Sequence, residues 1–511
     1  MSIKKKLIAL IVVTTIMRCI AAATIGLGND EVYYLSYAQH LQWNYFDHPP
    51  MVALLIRLTS FNLYFQNEFF VRLGPVILSA LNTLLIYDLV KKIRNEQAGF
   101  IAAILFSASF YSSVIAGVFI LPDSPQLVYW IISIALLVDI ISGKLSTQQI
   151  NYKLLLFGIV AGLCIMSKVH GIFLWLGFGL YIVIYQRKLL GNVYLYLGAL
   201  LTAIIISPIL IWNIQNDFIT YTYHGSRVAI NSGIQIDSFI REFAGGILYN
   251  NPFNYFLIVI ALTGVFKNRL IIEAAQKRLL IFLSLPLIIL LLGLSLFRDT
   301  LPHWSGPGYI SLIILAACYI DCRAQSINNA GIRLRRIAFS ALLFLYVIVI
   351  VGIVMINFMP GTIGNKEPKA LGDGDFTLEL YGWPGIKTEF KKIHDADKKD
   401  GVTKTDFIIS NKWFPAAHID NYIAQPLHLN FIAIGGLNDI HTYAWLNEYR
   451  KKIQKGDDAY FITFSNDFCD PVQKYHDLFE SIHQRDTIQQ QRGGKPVRNV
   501  FIYLMKNYKG K

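Results

Sequence analysis

Asp30-Glu31 and Asp47-His48 stand in one short stretch of the chain, separated by Tyr33, Tyr34, Tyr37 and an aromatic run at Trp43, Tyr45 and Phe46. An apolar segment ends just before them, and charge held at a membrane boundary is costly unless the site has a use for it. Neighbouring carboxylates raise one another's proton affinity, which fits one of them to take a proton from a hydroxyl group. Three further positions are unusual for their surroundings. Asp123 lies between Pro122 and Pro125, Lys168 is a lone lysine among apolar residues, and His303-Trp304 sits in a Gly/Pro-rich loop. Each of these has a plain structural alternative. Acids favour the start of a helix, so Asp30-Glu31 and Asp123 can serve as caps, and Lys168 can snorkel to an interface. Asp47, His48, His224 and His303 show no metal-ligand spacing. Hydrogen-bonded polar residues lining a cavity are the preferred reading there; no cofactor is expected, and a divalent ion is the alternative.

Positioning these residues falls to a membrane-embedded frame. Of 511 residues 54% are hydrophobic and only 15% charged, against about 25% charged in soluble chains. About eleven apolar segments read as spanning helices, at 7–27, 71–90, 98–119, 126–141, 154–166, 171–185, 193–212, 246–266, 279–297, 306–322 and 337–358. The first follows Lys4-Lys5-Lys6, and its length favours a retained anchor over a signal peptide cleaved after Ala21-Ala22-Ala23. Arg18 within it must face protein or water.

The net charge of +13 does not describe a nucleic-acid surface. Residues 1–359 carry 25 basic against 14 acidic side chains, and the rest of the chain 21 against 19. The excess is spread over short connections between apolar runs, where it acts as an orientation signal. With Met1 cytoplasmic, 18 of those 25 basic residues fall on the cytoplasmic side. Asp30, Glu31, Asp47, Glu68, Asp123, Asp217, Asp237, Glu242 and Asp299 all fall on the outer side. No GxxxxGK[ST] loop or Gly-rich βαβ turn offers a nucleotide-phosphate site. Five scattered cysteines form neither a metal spacing nor a disulfide framework. Beyond Phe358, Pro360-Gly361 and the Gly/Asp run at 371–375 read as a linker. Short β-like runs at 406–410, 429–434, 459–465 and 500–505, with helical stretches between them, then predict a compact α/β domain outside the cytoplasm. The expected division is 1–359 in the membrane and 360–511 outside it.

Asp30-Glu31-Val32-Tyr33-Tyr34 followed by Tyr45-Phe46-Asp47-His48-Pro49-Pro50 resembles the first outer loop of bacterial members of the dolichyl-phosphate-mannose–protein mannosyltransferase-like family. These are GT-C glycosyltransferases related to the lipid A aminoarabinose transferase. Leu121-Pro122-Asp123-Ser124-Pro125 resembles the family's second acidic motif, and Ser167-Lys168-Val169-His170-Gly171 its S-K-Y-x-G stretch, with Val169 in place of the aromatic. The stretch from Pro302 to Gly308 resembles its late N-W-P-x-P-like loop, and Leu380-Tyr381-Gly382-Trp383 and 407–411 its outer C-terminal domain.

The resemblance implies an all-α polytopic membrane protein of GT-C fold with a C-terminal extracytoplasmic α/β domain. It implies an inverting transferase of the bacterial inner membrane, taking a sugar from a polyprenyl-phosphate donor to a lipid, glycan or protein acceptor. Asp30 matches the family's catalytic aspartate, and Glu31 would orient the acceptor or Asp30. Lys168, His48, Arg57 and His303 would meet the donor phosphate, with Arg227 and Arg298 as weaker candidates. Tyr33, Tyr34, Asp47, Asp123 and Trp304 would line the cavity. His48 stands where some relatives carry lysine, which makes its role dependent on pH. A transporter or lipid flippase is the alternative, yet the polar clusters lie at one face and no paired halves are present. An outer-domain receptor would leave the acidic pairs unexplained.

Overall fold

In the computed structural model, residues 2–228, 233–325, 330–403 and 405–510 are described. Eight of the described helical segments are long and apolar enough to cross a membrane, and three shorter apolar helices lie at Glu96–Ala108, Val169–Tyr185 and Pro252–Phe266. These eleven fall on the eleven segments expected from hydropathy, and the chain is a multi-pass membrane protein. Its residues pack into two compact units. One comprises Met1–Ala23 and Leu41–Val349, the other Thr24–His40 and Ile350–Lys511. The stretch bearing Asp30 therefore packs with the C-terminal residues, although the expected division placed it with the membrane segments.

The first unit takes in α1 (Ile3–Thr24), α3 (Met51–Thr59), α4 (Glu68–Ile93), α5 (Glu96–Ala108), α6 (Asp123–Ile140) and α7 (Thr147–Ser167). It continues with α8 (Ile172–Tyr185), α9 (Val193–Gln215), α10 (Ile219–Val228), α11 (Ile236–Tyr249), α12 (Pro252–Phe266), α13 (Ala274–Phe282), α14 (Leu285–Leu294), α15 (Gly306–Gln325) and the part of α16 (Ala330–Phe358) up to Val349. Leu105, Trp130, Ile134, Leu137, Ile313 and Ile314 form part of one buried core. Ile77, Leu200, Ile204, Phe266 and Leu343 stay exposed, as helices facing lipid require.

Several expected spans are interrupted where the sequence demands it. α5 ends at Ala108 and a separate turn at Tyr111–Ile115 follows. The expected helix at 246–266 breaks before Pro252, because proline cannot donate into the preceding turn. Asn251 takes up the break: its amide donates to Ala108 O at 3.0 Å and Ala341 O at 2.8 Å. On the basic side, Asp139 binds Lys92 and Lys153, and Asp321 binds Arg94 and Arg335.

The second unit joins α2 (Asn29–Gln39) to α17 (Trp383–Lys399) and a five-stranded sheet of order β2-β1-β3-β5-β4. β1 (Phe407–Ser410) lies parallel to β2 (Asn430–Ala433) and to β3 (Ala459–Phe464). β4 (Phe479–Arg492) and β5 (Lys495–Tyr508) form an antiparallel hairpin whose β5 pairs with β3. β4 was not expected from the sequence. Its runs of Gln, Arg and Asp suit an edge strand that leaves most of its residues in water. Gly493 and Gly494 both adopt positive φ and close the turn, a geometry that glycine reaches at little cost. Strands β1 and β3 are buried on both faces. α17 covers one face through Phe390, whose ring lies 5.3 Å from Tyr460.

Candidate active site

In the first unit, Asp123 and Lys168 form a buried ion pair, with His48, His170 and His303 near it and Arg57 away at the end of α3. α6 begins at Asp123, so the carboxylate sits in the first helical turn, where the helix dipole favours an anion. α7 ends at Ser167, and Lys168 leaves the helix with extended backbone before a short turn at Val169–Gly171. Gly171 allows that turn, since a Cβ there would come within 2.7 Å of Ile165 N. The exit angle brings Lys168 Nζ to 2.8 Å from Asp123 Oδ2, with both side chains almost fully buried. Tyr111 OH donates to the other Asp123 oxygen at 3.1 Å, and Gln126 Nε2 donates to Lys168 O at 3.3 Å. His170 and Trp304 rings lie 5.9 Å apart, and His303 lies 6.2 Å from the Tyr249 ring.

The loop carrying Asp47 and His48 is held against α9 and α10. Trp212 Nε1 donates to Gln42 Oε1 at 2.8 Å, and Thr220 Oγ1 donates to Tyr45 O at 3.1 Å. His224 Nε2 donates to Asp47 O at 2.7 Å, which fixes its tautomer, and its ring lies 6.1 Å from that of His48. Burial, His224 and the positive charge on Lys168 together push the His48 imidazole well below its usual pKa. His48 is therefore neutral near pH 7 and acts as a hydrogen-bonding group. Arg227 lies over the Trp304 ring at 5.4 Å. Arg57 donates to Asn62 Oδ1 at 2.6 Å from the last turn of α3. Among the described residues, no three His, Cys, Asp or Glu side chains converge as metal ligands would.

Asp30, Glu31, Tyr33 and Tyr34 belong to the second unit. Asp30 is the second residue of α2 and is exposed to solvent, whereas Glu31 is buried. Glu31 Oε2 accepts the Gly28 N–H at 2.9 Å, closing the start of the helix. Tyr33 and Tyr34 are almost fully buried. The Tyr33 ring lies 5.0 Å from both Tyr37 and Trp413, and its hydroxyl accepts the Thr442 N–H at 3.3 Å. The chain entering α2 is fastened by its backbone. Gly26 N–H donates to Leu380 O at 3.0 Å, Leu27 N–H donates to Tyr422 OH at 3.0 Å, and His418 donates to Leu27 O at 3.0 Å.

In the sequence Asp123 and Lys168 stand out separately with nothing to pair them, and neither Tyr111 nor the neighbourhood of His170 is marked. Tyr111 lies inside a segment expected to span the membrane.

Residues 47–212 match the family model of dolichyl-phosphate-mannose-protein mannosyltransferase. The lipid A galacturonosyltransferase RgtD of Rhizobium johnstonii is 23% identical over 293 residues, 56% of this chain and 59% of that protein. The alignment thus spans less than two thirds of that relative's length. Two crystal structures of ArnT from Cupriavidus metallidurans, apo and bound to undecaprenyl phosphate, match with a TM-score of 0.66 over 98% of both chains, at 12% and 13% identity. An oligosaccharyltransferase of Archaeoglobus fulgidus matches with a TM-score of 0.51 at 12% identity, over 89% of this chain and 67% of that one. The chain thus resembles the dolichyl-phosphate-mannose-protein mannosyltransferase family in sequence over residues 47–212, and ArnT in fold over nearly its whole length.

Proposed function

We propose that this chain is an inverting glycosyltransferase of the bacterial inner membrane, moving a sugar from a polyprenyl-phosphate donor to a lipid acceptor of the lipid A class. The family match over residues 47–212 carries this reading. The lipid A activity named for RgtD and the undecaprenyl phosphate bound by ArnT supply the acceptor and donor classes. Met1 is taken as cytoplasmic, and residues 360–511 belong to the periplasmic side, in keeping with the basic connections.

The chemistry follows from the side chains. The acceptor oxygen attacks the anomeric carbon as the bond to the phosphate breaks, and the phosphate leaves with the electron pair. Asp30 takes the acceptor's proton; its place in the first turn of α2 keeps it anionic until it does so. Glu31 holds that turn in shape from beneath. At the leaving phosphate, His48 and His303 donate hydrogen bonds, and Arg57 adds charge. Lys168 donates there as well, its ammonium carrying three N–H groups of which Asp123 takes one. An anion arriving at His48 stabilises the imidazolium, so donor binding draws a proton onto that ring. In the first unit Asp47, Asp123 and Trp304 flank the phosphate-binding groups, and in the second Tyr33 and Tyr34 pack beneath the turn that carries Asp30.

Purified full-length protein incubated with a radiolabelled polyprenyl-phosphate sugar and lipid A tests the reading. Label appearing on the acceptor supports it. Intact labelled donor moving between leaflets of sealed vesicles, with none on the acceptor, would replace it with a flippase.

A further inference from the structure

Within the second unit, a second carboxyl group stands beside the residue assigned as the base. The turn Phe376–Leu380 packs directly on the chain entering α2. Gly26 N–H donates to Leu380 O at 3.0 Å, and a Cβ at Gly26 would lie only 2.7 Å from that oxygen. A Cβ at Gly28 would touch the Leu380 side chain at 3.4 Å. This close approach delivers the Glu379 side chain to the first turn of the helix, where it is hydrogen-bonded to the side chain of Asn29 and feels the charge of Asp30.

Among the elements packed there, α2 contributes Asp30 and Glu31, and Glu31 is turned to the Gly28 N–H. His418 is occupied with Leu27 O, and burial pushes its pKa down to about 3, so it adds no positive charge. Tyr422 is hydrogen-bonded to Leu27 N–H. From β5, Arg498 lies over the Trp383 ring at 4.6 Å and donates to Gln490 Oε1 at 2.5 Å. None of these contacts is a cation on the Glu379 carboxyl.

We propose that Glu379 is a positioning residue for Asp30: it fixes the Asn29-Asp30 turn through Asn29 and sets the charge beside the base by gaining or losing its own proton. The inference rests on Asp30 being the base. Burial, with the Asp30 charge next, raises the Glu379 pKa to about 7. Below that pH the neutral Glu379 carboxyl adds no charge beside Asp30. Above it, the second negative charge raises the proton affinity of Asp30, which strengthens a general base whose acceptor is a weakly acidic hydroxyl.

The test compares wild type, Glu379→Gln and Glu379→Ala, all as full-length protein in lipid nanodiscs. Glutamine keeps the oxygen that Asn29 meets and mimics the protonated carboxyl; alanine removes both. Wild-type kcat/KM is expected to rise about three- to tenfold through a limb centred near pH 7. Glu379→Gln should follow the acid plateau throughout, and Glu379→Ala should fall below it at every pH. Infrared difference spectra of wild type against Glu379→Gln should show one protonated-carboxyl band vanishing over the same pH range. A limb that persists in Glu379→Gln, or the absence of that band, overturns the proposal. An inactive wild type overturns the transferase reading instead, and the infrared titration still reports on Glu379.

Discussion

Replacing Lys168 by methionine removes the cation of the buried pair while keeping most of its length. At the observed 2.8 Å, an effective dielectric of about 20 gives about 6 kcal/mol of attraction. Withdrawing each ion from water costs several kcal/mol, so the intact pair adds little net stability. Either ion left alone keeps its desolvation cost without the attraction. Lys168→Met should therefore destabilise the protein by about 3–5 kcal/mol, and Asp123→Asn by a similar amount. The double variant should return to within about 1–2 kcal/mol of wild type, because both buried charges are then gone. Thermal unfolding in detergent, followed by tryptophan fluorescence across the four proteins, measures the cycle. Single variants that unfold like wild type, or a double variant whose loss equals the sum of the singles, would refute the reasoning. The same double variant separates stability from chemistry: with folding restored, sugar transfer should stay impaired, since the phosphate has lost an N–H donor.

Two further outcomes follow from the second unit. Glu31→Ala should cost about 1 kcal/mol by orphaning the Gly28 N–H, whereas Glu31→Gln, which keeps an acceptor, should cost less; unfolding midpoints of the two variants distinguish them. His418 is buried and its pKa falls from 6.5 to about 3, so between those values the unfolded chain binds a proton that the folded chain refuses. Its contribution is complete above pH 6.5 and is lost as pH falls toward 3, by roughly 1.4 kcal/mol per unit. His418→Gln should flatten the acid limb of the stability curve, and an unchanged slope would remove His418 as its cause.

Hydropathy alone located the membrane segments, because a helix that faces lipid must be apolar for its whole length. It could not show where those helices break, since Asn251 takes up the break before Pro252 through partners distant in sequence. β4 escaped notice because an edge strand of Gln, Arg and Glu has no apolar alternation; the Gly493-Gly494 pair was the available signal. The motif residues drew attention by type, but their partnerships depend on tertiary structure. Asp123 and Lys168 are 45 positions apart, and Asn29 meets Glu379 across most of the chain. Local pattern also assigned residues 24–40 to the membrane part, whereas Tyr422, His418 and Leu380 bind that stretch into the C-terminal unit.

The most direct measurement is the rate of sugar transfer by purified Asp30→Asn, read beside its unfolding curve. Asparagine suits the second position of α2 nearly as well as aspartate and cannot take the acceptor's proton. Transfer should fall by about a hundredfold or more, with donor binding and thermal unfolding close to wild type. Transfer at the wild-type rate would contradict Asp30 as the base.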